Sequence, residues 1–269
     1  MIWMLKSHKK GNLEVKPNTI AFTTVCDTWS KSGKTEAVER IERLISIMKE
    51  LSAEGYKDVY PNEYTYNCLF TAIARSKDDD KAVKALQVLR DMQQDRKIKA
   101  NNFTYNAMLS ACAYSTQGSS KDRVTAIKIA IIMVEEAIEK ARKGDKLNIT
   151  YGTFFTACSN LTVNEDERIK IEKVVEALFL QCCAHGQVDG ILIKQLRGAT
   201  SKRLFHKLLG KYKPFTSTDV PNEWHMNVKR GHPGSNDKVE PKDQGPREAL
   251  LTSIYLDEDG RKFRKRGKR

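Results

Sequence analysis

A short motif recurs four times along this chain of 269 residues, and its spacing constrains the fold more than any other feature. The clearest copy is Pro-Asn-Glu-Tyr-Thr-Tyr-Asn at residues 61–67, and weaker copies occupy residues 17–23, 100–106 and 146–152. The last residues of consecutive copies lie 44, 39 and 46 positions apart. Periods of about 20 to 50 residues are typical of tandem structural repeats. We therefore expect an array of repeated units.

Each repeat is predicted to be a helical hairpin, which makes the protein all-α. The motif offers Asn, a favoured N-cap residue, and continues into an apolar stretch that suits the first helix. A polar break follows each first helix, at residues 32–34, 78–80, 117–120 and 164–167. Beyond the first break, Ile41, Leu44, Ile45, Met48 and Leu51 have the spacing of one buried helical face. No proline interrupts the chain between Pro61 and Pro214.

The repeats divide the chain into four segments. Residues 1–17 are interpreted as the end of a preceding incomplete repeat and a link, with a helix from Trp3 to Lys9. Residues 18–162 hold the helical-hairpin repeats. Residues 163–212 hold the last repeat helix and two capping helices, Val188–Arg197 and Ser201–Leu209. Since solenoids rarely begin within a repeat, we expect the array to be N-terminally truncated.

Residues 213–269 are predicted to form a disordered basic tail. Five of the seven prolines lie there, among few aliphatic residues. Seven of the nine residues from 261 to 269 are basic, and the formal net charge of the whole chain is +13. These values favour a polyanionic partner.

The composition argues against several other classes of protein. No apolar run approaches the roughly 18 residues of a membrane-spanning helix, so we expect no membrane contact. The six cysteines lie mostly singly in apolar stretches, where Cys packs as a small hydrophobic residue. This pattern predicts free thiols and therefore a reducing compartment. Cys182, Cys183 and His185 lack metal-ligand spacing, and the acidic run 78–80 fits a helix start. We expect no metal, cofactor, small-molecule substrate or catalytic activity.

Residues 17–162 resemble the pentatricopeptide repeat family. The resemblance rests on Asn-x-x-Thr-Tyr-Asn at residues 62–67 and 101–106, the polar turn about ten residues later and the closing Pro-Asn. Repeats of that family are nominally 35 residues long, so we expect insertions before Tyr60 and around residues 144–146. Residues 179–188 and 222–224 look similar to the C-terminal region of algal members.

The resemblance implies a right-handed superhelical solenoid whose first helices line a concave groove that binds single-stranded RNA, one base per repeat. In the family, the fifth and last residues of a repeat contact the base edge. These positions correspond here to Thr23, Asn62, Asn67, Asn101 and Asn106. Second-position residues sandwich the base, and these correspond to Ile20, Tyr64, Phe103 and Ile149. The first two repeats are expected to read adenine and then cytosine or, less strongly, uracil, whereas Gly152 has no side chain for reading.

The residues by themselves leave alternatives open. Helix capping accounts for Asn18, Asn62, Asn101 and Asn148, and Tyr64 and Phe103 would equally suit a core between repeats. The predicted function is selective single-stranded RNA binding in RNA processing, stability or translation, by a monomer. The rival is a tetratricopeptide-like scaffold for a peptide or protein, and a third view assigns binding to the basic tail. The resemblance points to a mitochondrion or plastid, although no targeting segment is visible.

Overall fold

A computed structural model describes residues 2–142, 144–162, 164–212 and 220–228, and in these ranges the regular structure is helical. The described residues form two compact modules: an N-terminal module, which comprises those up to residue 142, and a C-terminal module, which comprises those from residue 144 onward. The helices of the N-terminal module are α1 (Ile2–Lys9), α2 (Thr19–Lys31), α3 (Ala37–Ala53), α4 (Glu63–Arg75), α5 (Lys81–Gln94), α6 (Asn102–Ala113) and α7 (Ser120–Lys140). Those of the C-terminal module are α8 (Asn148–Leu161), α9 (Glu165–Ala184), α10 (Gly190–Ala199), α11 (Lys202–Leu209) and α12 (Asn222–His225).

The N-terminal module consists of three helical hairpins in two layers. The first helices of the hairpins, α2, α4 and α6, pack side by side, with α4 between its two neighbours. Each of the second helices, α3, α5 and α7, packs against the first helix of its own hairpin, and α3 and α5 also pack against the first helix of the next hairpin. Met48 and Leu51 of α3 pack against Phe22 of α2 in a buried cluster that Leu5 of α1 also contacts. The predicted hairpins and the buried face of the second helix are therefore confirmed in this module.

Asparagine caps fix where the first helices begin. Asn18 Oδ1 accepts a hydrogen bond from the Ala21 N–H at 2.9 Å. Asn62 Oδ1 accepts from the Thr65 N–H at 3.1 Å, and the Asn62 N–H donates back to Thr65 Oγ1 at 3.3 Å. Asn101 and Thr104 repeat this reciprocal pair at 3.0 and 3.3 Å. The motif therefore recurs in part because each first helix needs its free N–H groups satisfied.

The capping interpretation of Asn148 is wrong. Leu147 occupies the N-cap position of α8, and the Asn148 side chain instead donates to Asp189 Oδ2 at 2.8 Å. Gln187 Oε1 accepts hydrogen bonds from the Leu147 and Asn148 N–H groups at 3.1 and 3.3 Å. A side chain from a distant loop therefore satisfies this helix start. One consequence is that the buried Thr150 Oγ1 has no hydrogen-bond partner, because Leu147 offers no side-chain acceptor.

The C-terminal module contains the hairpin α8–α9, with α10 packed along α8 and with α11 and α12 packed on α9. The two predicted capping helices are present as α10 and α11. However, α10 begins as a repeat does: Asp189 is its N-cap and accepts from the Leu192 N–H at 2.6 Å. The sequence interpretation missed this fifth first helix because Asp and Gly replace the usual Asn and polar residue.

The prediction of disorder is wrong for residues 220–228. The Trp224 ring lies 5.9 Å from that of Phe179 and 5.3 Å from that of Tyr212, measured between centroids. The Trp224 carbonyl also accepts from the Val188 N–H at 2.8 Å. One large aromatic side chain can anchor a short segment in a polar stretch, and composition averaged over the tail hides it. Residues 213–219 and 229–269, with the basic block 261–269, lie outside the described residues.

We predict opposite stability effects for the same substitution at two equivalent threonines. Thr104→Val removes the capping-box bonds to Asn101 and should lower the free energy of unfolding by about 1 kcal/mol. Thr150→Val removes a buried hydroxyl that has no partner and should be neutral or stabilising, since an unpaired buried polar group costs about 1–3 kcal/mol. Urea unfolding curves of both variants test this. An equal loss of unfolding free energy in both variants would contradict the claim that Thr104 gains stability from its bonds to Asn101 and that Thr150 does not.

Candidate nucleic-acid interface

A large apolar side chain is exposed at the second residue of each first helix. The exposed fractions lie between 58% and 75% for Ile20, Tyr64, Phe103, Ile149 and Ile191. Single exposed apolar residues are ordinary on protein surfaces, but recurrence at one helical position requires an explanation. The alternative that Tyr64 and Phe103 form a core between repeats is wrong. The sequence analysis did not identify Ile191 as a member of this set. The available signal was its position two residues after the Asp189 cap, since Tyr64 likewise lies two residues after the Asn62 cap.

A depression of about 300 Å³ lies between α2 and α4. It brings together the predicted base-sandwiching pair, Ile20 and Tyr64, and the predicted base-reading pair, Thr23 and Asn62. Asp27, one turn beyond Thr23, also lines the depression, although sequence reasoning did not single it out. The available signal was the spacing of four residues between Thr23 and Asp27, which places both side chains on the same face of α2.

The cap on α4 determines which polar atom of Asn62 remains for a ligand. Asn62 Oδ1 accepts from both the N–H and the hydroxyl of Thr65, each at 3.1 Å. The Nδ2 group of Asn62 has no hydrogen-bond partner within the described ranges. Thr23 Oγ1 lies 2.9 Å from Thr65 Oγ1, so both predicted reading residues are positioned by the same buried threonine. Asn62 therefore presents a donor whose orientation is set by the helix cap.

Asn67 and Asn106 occupy the fifth residue of α4 and α6, the position that Thr23 occupies on α2. Each has its side-chain Oδ1 buried without a hydrogen-bond partner. Unsatisfied buried acceptors are uncommon in folded proteins, and each one requires an explanation, of which a functional role is one. Asn101 repeats the arrangement of Asn62, because its Oδ1 accepts from the Thr104 N–H and hydroxyl at 3.0 and 3.2 Å.

We define the first-helix face as the surface that contains Ile20, Thr23, Asn62, Tyr64, Asn67, Asn101, Phe103 and Asn106. Its helices α2, α4 and α6 pack in sequence within the N-terminal module. The face combines periodic apolar side chains with polar atoms left over from helix caps. Such a surface can stack against flat rings and form hydrogen bonds to their edges.

The described ranges offer no alternative site built on a metal. They contain no group of three or more His, Cys, Asp or Glu side chains that could hold an ion. Cys182 and Cys183 are buried, and His185 Nδ1 lies 3.0 Å from the hydroxyl of Tyr151. Asp80 occupies the N-cap position of α5, as the acidic run predicted, but its side chain makes no capping bond. None of the described helices is long and apolar enough to cross a membrane.

Residues 46–115 match the family model of the pentatricopeptide repeat domain. This stretch of the chain is similar to a pentatricopeptide repeat domain. The matched stretch runs from within α3 through α4, α5 and α6, and it includes Asn62, Tyr64, Asn67, Asn101 and Phe103 of the first-helix face. A search of curated proteins and a search of solved structures each found no match. The matched repeats are those with reciprocal capping boxes on the first helix.

We predict that the cysteines of this protein are unreactive while it is folded. All six are buried. Burial raises the pKa of the Cys26, Cys112 and Cys183 thiols to about 12 and that of Cys68 to about 11. It also raises the pKa of Cys158 and Cys182. At pH 8 each thiol stays protonated, and the thiolate is the form that reacts.

Labelling with iodoacetamide, followed by mass spectrometry, tests this prediction. The denatured chain in guanidinium chloride should gain six labels, and the native chain should gain labels only as slowly as it unfolds. Native labelling of any one cysteine at the denatured rate would contradict its burial.

Proposed function

We propose that the first-helix face binds single-stranded RNA, with one base held between the exposed side chains of consecutive first helices. The observation that carries the proposal is the depression between α2 and α4, where Ile20 and Tyr64 lie beside Thr23 and Asn62. The proposed activity is binding without a chemical step. It would serve RNA processing, stability or translation, where holding one strand is itself an effect.

The spacing of apolar side chains favours a single strand over the other candidate ligands. Bases in a single strand can separate and insert their flat faces between side chains, whereas bases in a duplex remain stacked on one another. A peptide-binding groove would favour a continuous apolar surface, but here the polar Thr23 and Asn62 line the same depression as Ile20 and Tyr64. The formal net charge of +13 also favours an anionic backbone.

Truncation of the exposed aromatic residues tests the proposal. Tyr64→Ala and Phe103→Ala should each weaken RNA binding by about 5- to 150-fold, since base stacking contributes about 1–3 kcal/mol. The control is Val83→Ala, which shortens a side chain that is 50% exposed on the second helix α5. Fluorescence anisotropy with a labelled single strand measures the dissociation constants.

Salt and strand state provide further arms of the same experiment. The logarithm of the binding constant should fall with the logarithm of salt concentration by about 0.7 per phosphate contact. Duplex RNA should compete poorly with the single strand. Equal losses for Tyr64→Ala and Val83→Ala, or a preference for duplex, would reject the first-helix face as the RNA site and favour the peptide-binding alternative.

A second prediction concerns base preference. Asn62→Asp keeps an acceptor for the Thr65 N–H, and Asp is as good an N-cap as Asn. It replaces the free Nδ2 donor with a carboxylate oxygen, which is only an acceptor. The preference of the first repeat should therefore shift from adenine, whose N1 accepts, toward guanine, whose N1–H donates. Asn101→Asp should likewise shift the second repeat from cytosine toward uracil.

Competition between RNAs that differ at one base measures both shifts. Asn18→Asp is the matched control, because Asn18 makes the same capping bond to Ala21, whereas α1, the described helix before it, contributes no residue to the first-helix face. That variant carries the same change of charge and should leave base preference unchanged. If Asn62→Asp and Asn18→Asp behave alike, Asn62 is only a helix cap.

A further inference from the structure

The C-terminal module contains a junction of two first helices, α8 and α10, that resembles the junction of α2 and α4. Ile149 and Ile191 are the second residues of these helices and are 58% and 69% exposed. Asp189 caps α10, as Asn62 caps α4. One element differs: the fifth residue of α8 is Gly152, so the position equivalent to Thr23 has no side chain.

The side chain of Gln195, from α10, fills the space above Gly152. A Cβ atom placed on Gly152 would lie 2.0 Å from Gln195 Oε1 and 2.9 Å from its Cδ. Gly152 is therefore the residue that leaves room for this carboxamide. The sequence suggested a repeat without a reading side chain, but the structure places a polar group from the next helix at that point.

A short chain of hydrogen bonds fixes the orientation of the Gln195 carboxamide. Its Nε2 donates to Thr156 Oγ1 at 3.2 Å, and the Thr156 hydroxyl donates to the Gly152 carbonyl at 3.0 Å. The nitrogen is therefore engaged. Oε1 has no hydrogen-bond partner within the described ranges, and it is not among the buried unpartnered atoms there. The polar atom of Gln195 that remains without a partner is therefore an acceptor, and it is not fully buried.

Asp189 adds acceptors of the same kind at this junction. Its Oδ1 accepts from the Leu192 N–H at 2.6 Å, and its Oδ2 accepts from Asn148 Nδ2 at 2.8 Å. Each carboxylate oxygen can accept more than one hydrogen bond. At the α2–α4 junction the equivalent residue, Asn62, instead offers a donor. The two junctions therefore differ in hydrogen-bonding character.

We propose that Gln195 takes the base-edge role of the absent side chain at Gly152 and that, with Asp189, it makes the α8–α10 junction select guanine. This inference rests on the proposed RNA-binding function. The Watson–Crick edge of guanine presents two adjacent donors, N1–H and N2–H₂, which suit a site that offers only acceptors. Adenine, cytosine and uracil each present a single donor group beside acceptors on this edge. Those base acceptors would face the acceptor oxygens of Asp189 or Gln195, which is unfavourable.

Selection of bound RNAs from a randomised pool tests the proposal on the full-length chain. A single selection measures the base preference at every bound position. Gln195→Ala should reduce the guanine preference at one position by about tenfold, the effect of losing one good hydrogen-bonded contact to a base. Gly152→Ala should have the same effect, because the added Cβ displaces the carboxamide without removing it. The double variant should lose no more than either single variant.

Two further variants separate base reading from folding. Gln195→Met keeps the length of the side chain but removes its acceptor, so it should lose the preference even if the alanine variant is unstable. Gln181→Ala makes the same chemical change on α9 and should leave every position unchanged. Thermal unfolding of each variant identifies any loss of structure.

The outcomes distinguish this inference from the function on which it rests. If Asn62→Asp alters one position and neither Gln195 variant alters any, RNA binding stands and the role of Gln195 is wrong. If the wild-type chain selects no sequence and binds no single strand, both proposals are wrong. Loss of guanine preference at one position in Gln195→Ala, Gln195→Met and Gly152→Ala alone would support the inference.

Discussion

The hydrogen bond from the asparagine cap to the first turn of each first helix is the interaction on which the N-terminal module depends. A helix start has free N–H groups, and a cap residue that satisfies them also fixes where the helix begins. In α4 and α6 the cap is reciprocal, with Asn62 paired to Thr65 and Asn101 paired to Thr104. The register of every later side chain on these helices follows from that starting point.

The same bond organises the candidate interface. Because Asn62 uses its oxygen to cap the helix, its amide nitrogen is left as the polar atom for a ligand. The residue two positions later, Tyr64, is exposed at the start of the same turn. A cap that stabilises the fold therefore also places a donor and a stacking surface at a constant separation. Capping and base contact are compatible roles for these asparagines, since they use different atoms.

The C-terminal module shows how the arrangement changes when the cap is lost. Leu147 cannot cap α8, and the loop residue Gln187 satisfies the helix start in its place. The missing cap leaves Thr150 with an unpartnered hydroxyl, and the absent side chain at Gly152 leaves room for Gln195. In both cases a residue about 40 positions later in the chain supplies the group that the local sequence lacks. Such substitution is possible because α10 and the loop before it pack along α8.

The sequence by itself determined the helical hairpins, their order and the caps at Asn18, Asn62 and Asn101, because these depend on interactions between residues a few positions apart. The recurring motif also indicated which positions of each first helix to compare. Tertiary structure alone decided that Tyr64 and Phe103 are exposed, since one apolar pattern suits both a core and a binding surface. It alone decided the bonding of Asn148, the packing of Trp224 and the placement of Gln195 above Gly152. Each of these contacts joins residues far apart in the chain, and no local propensity encodes such a contact.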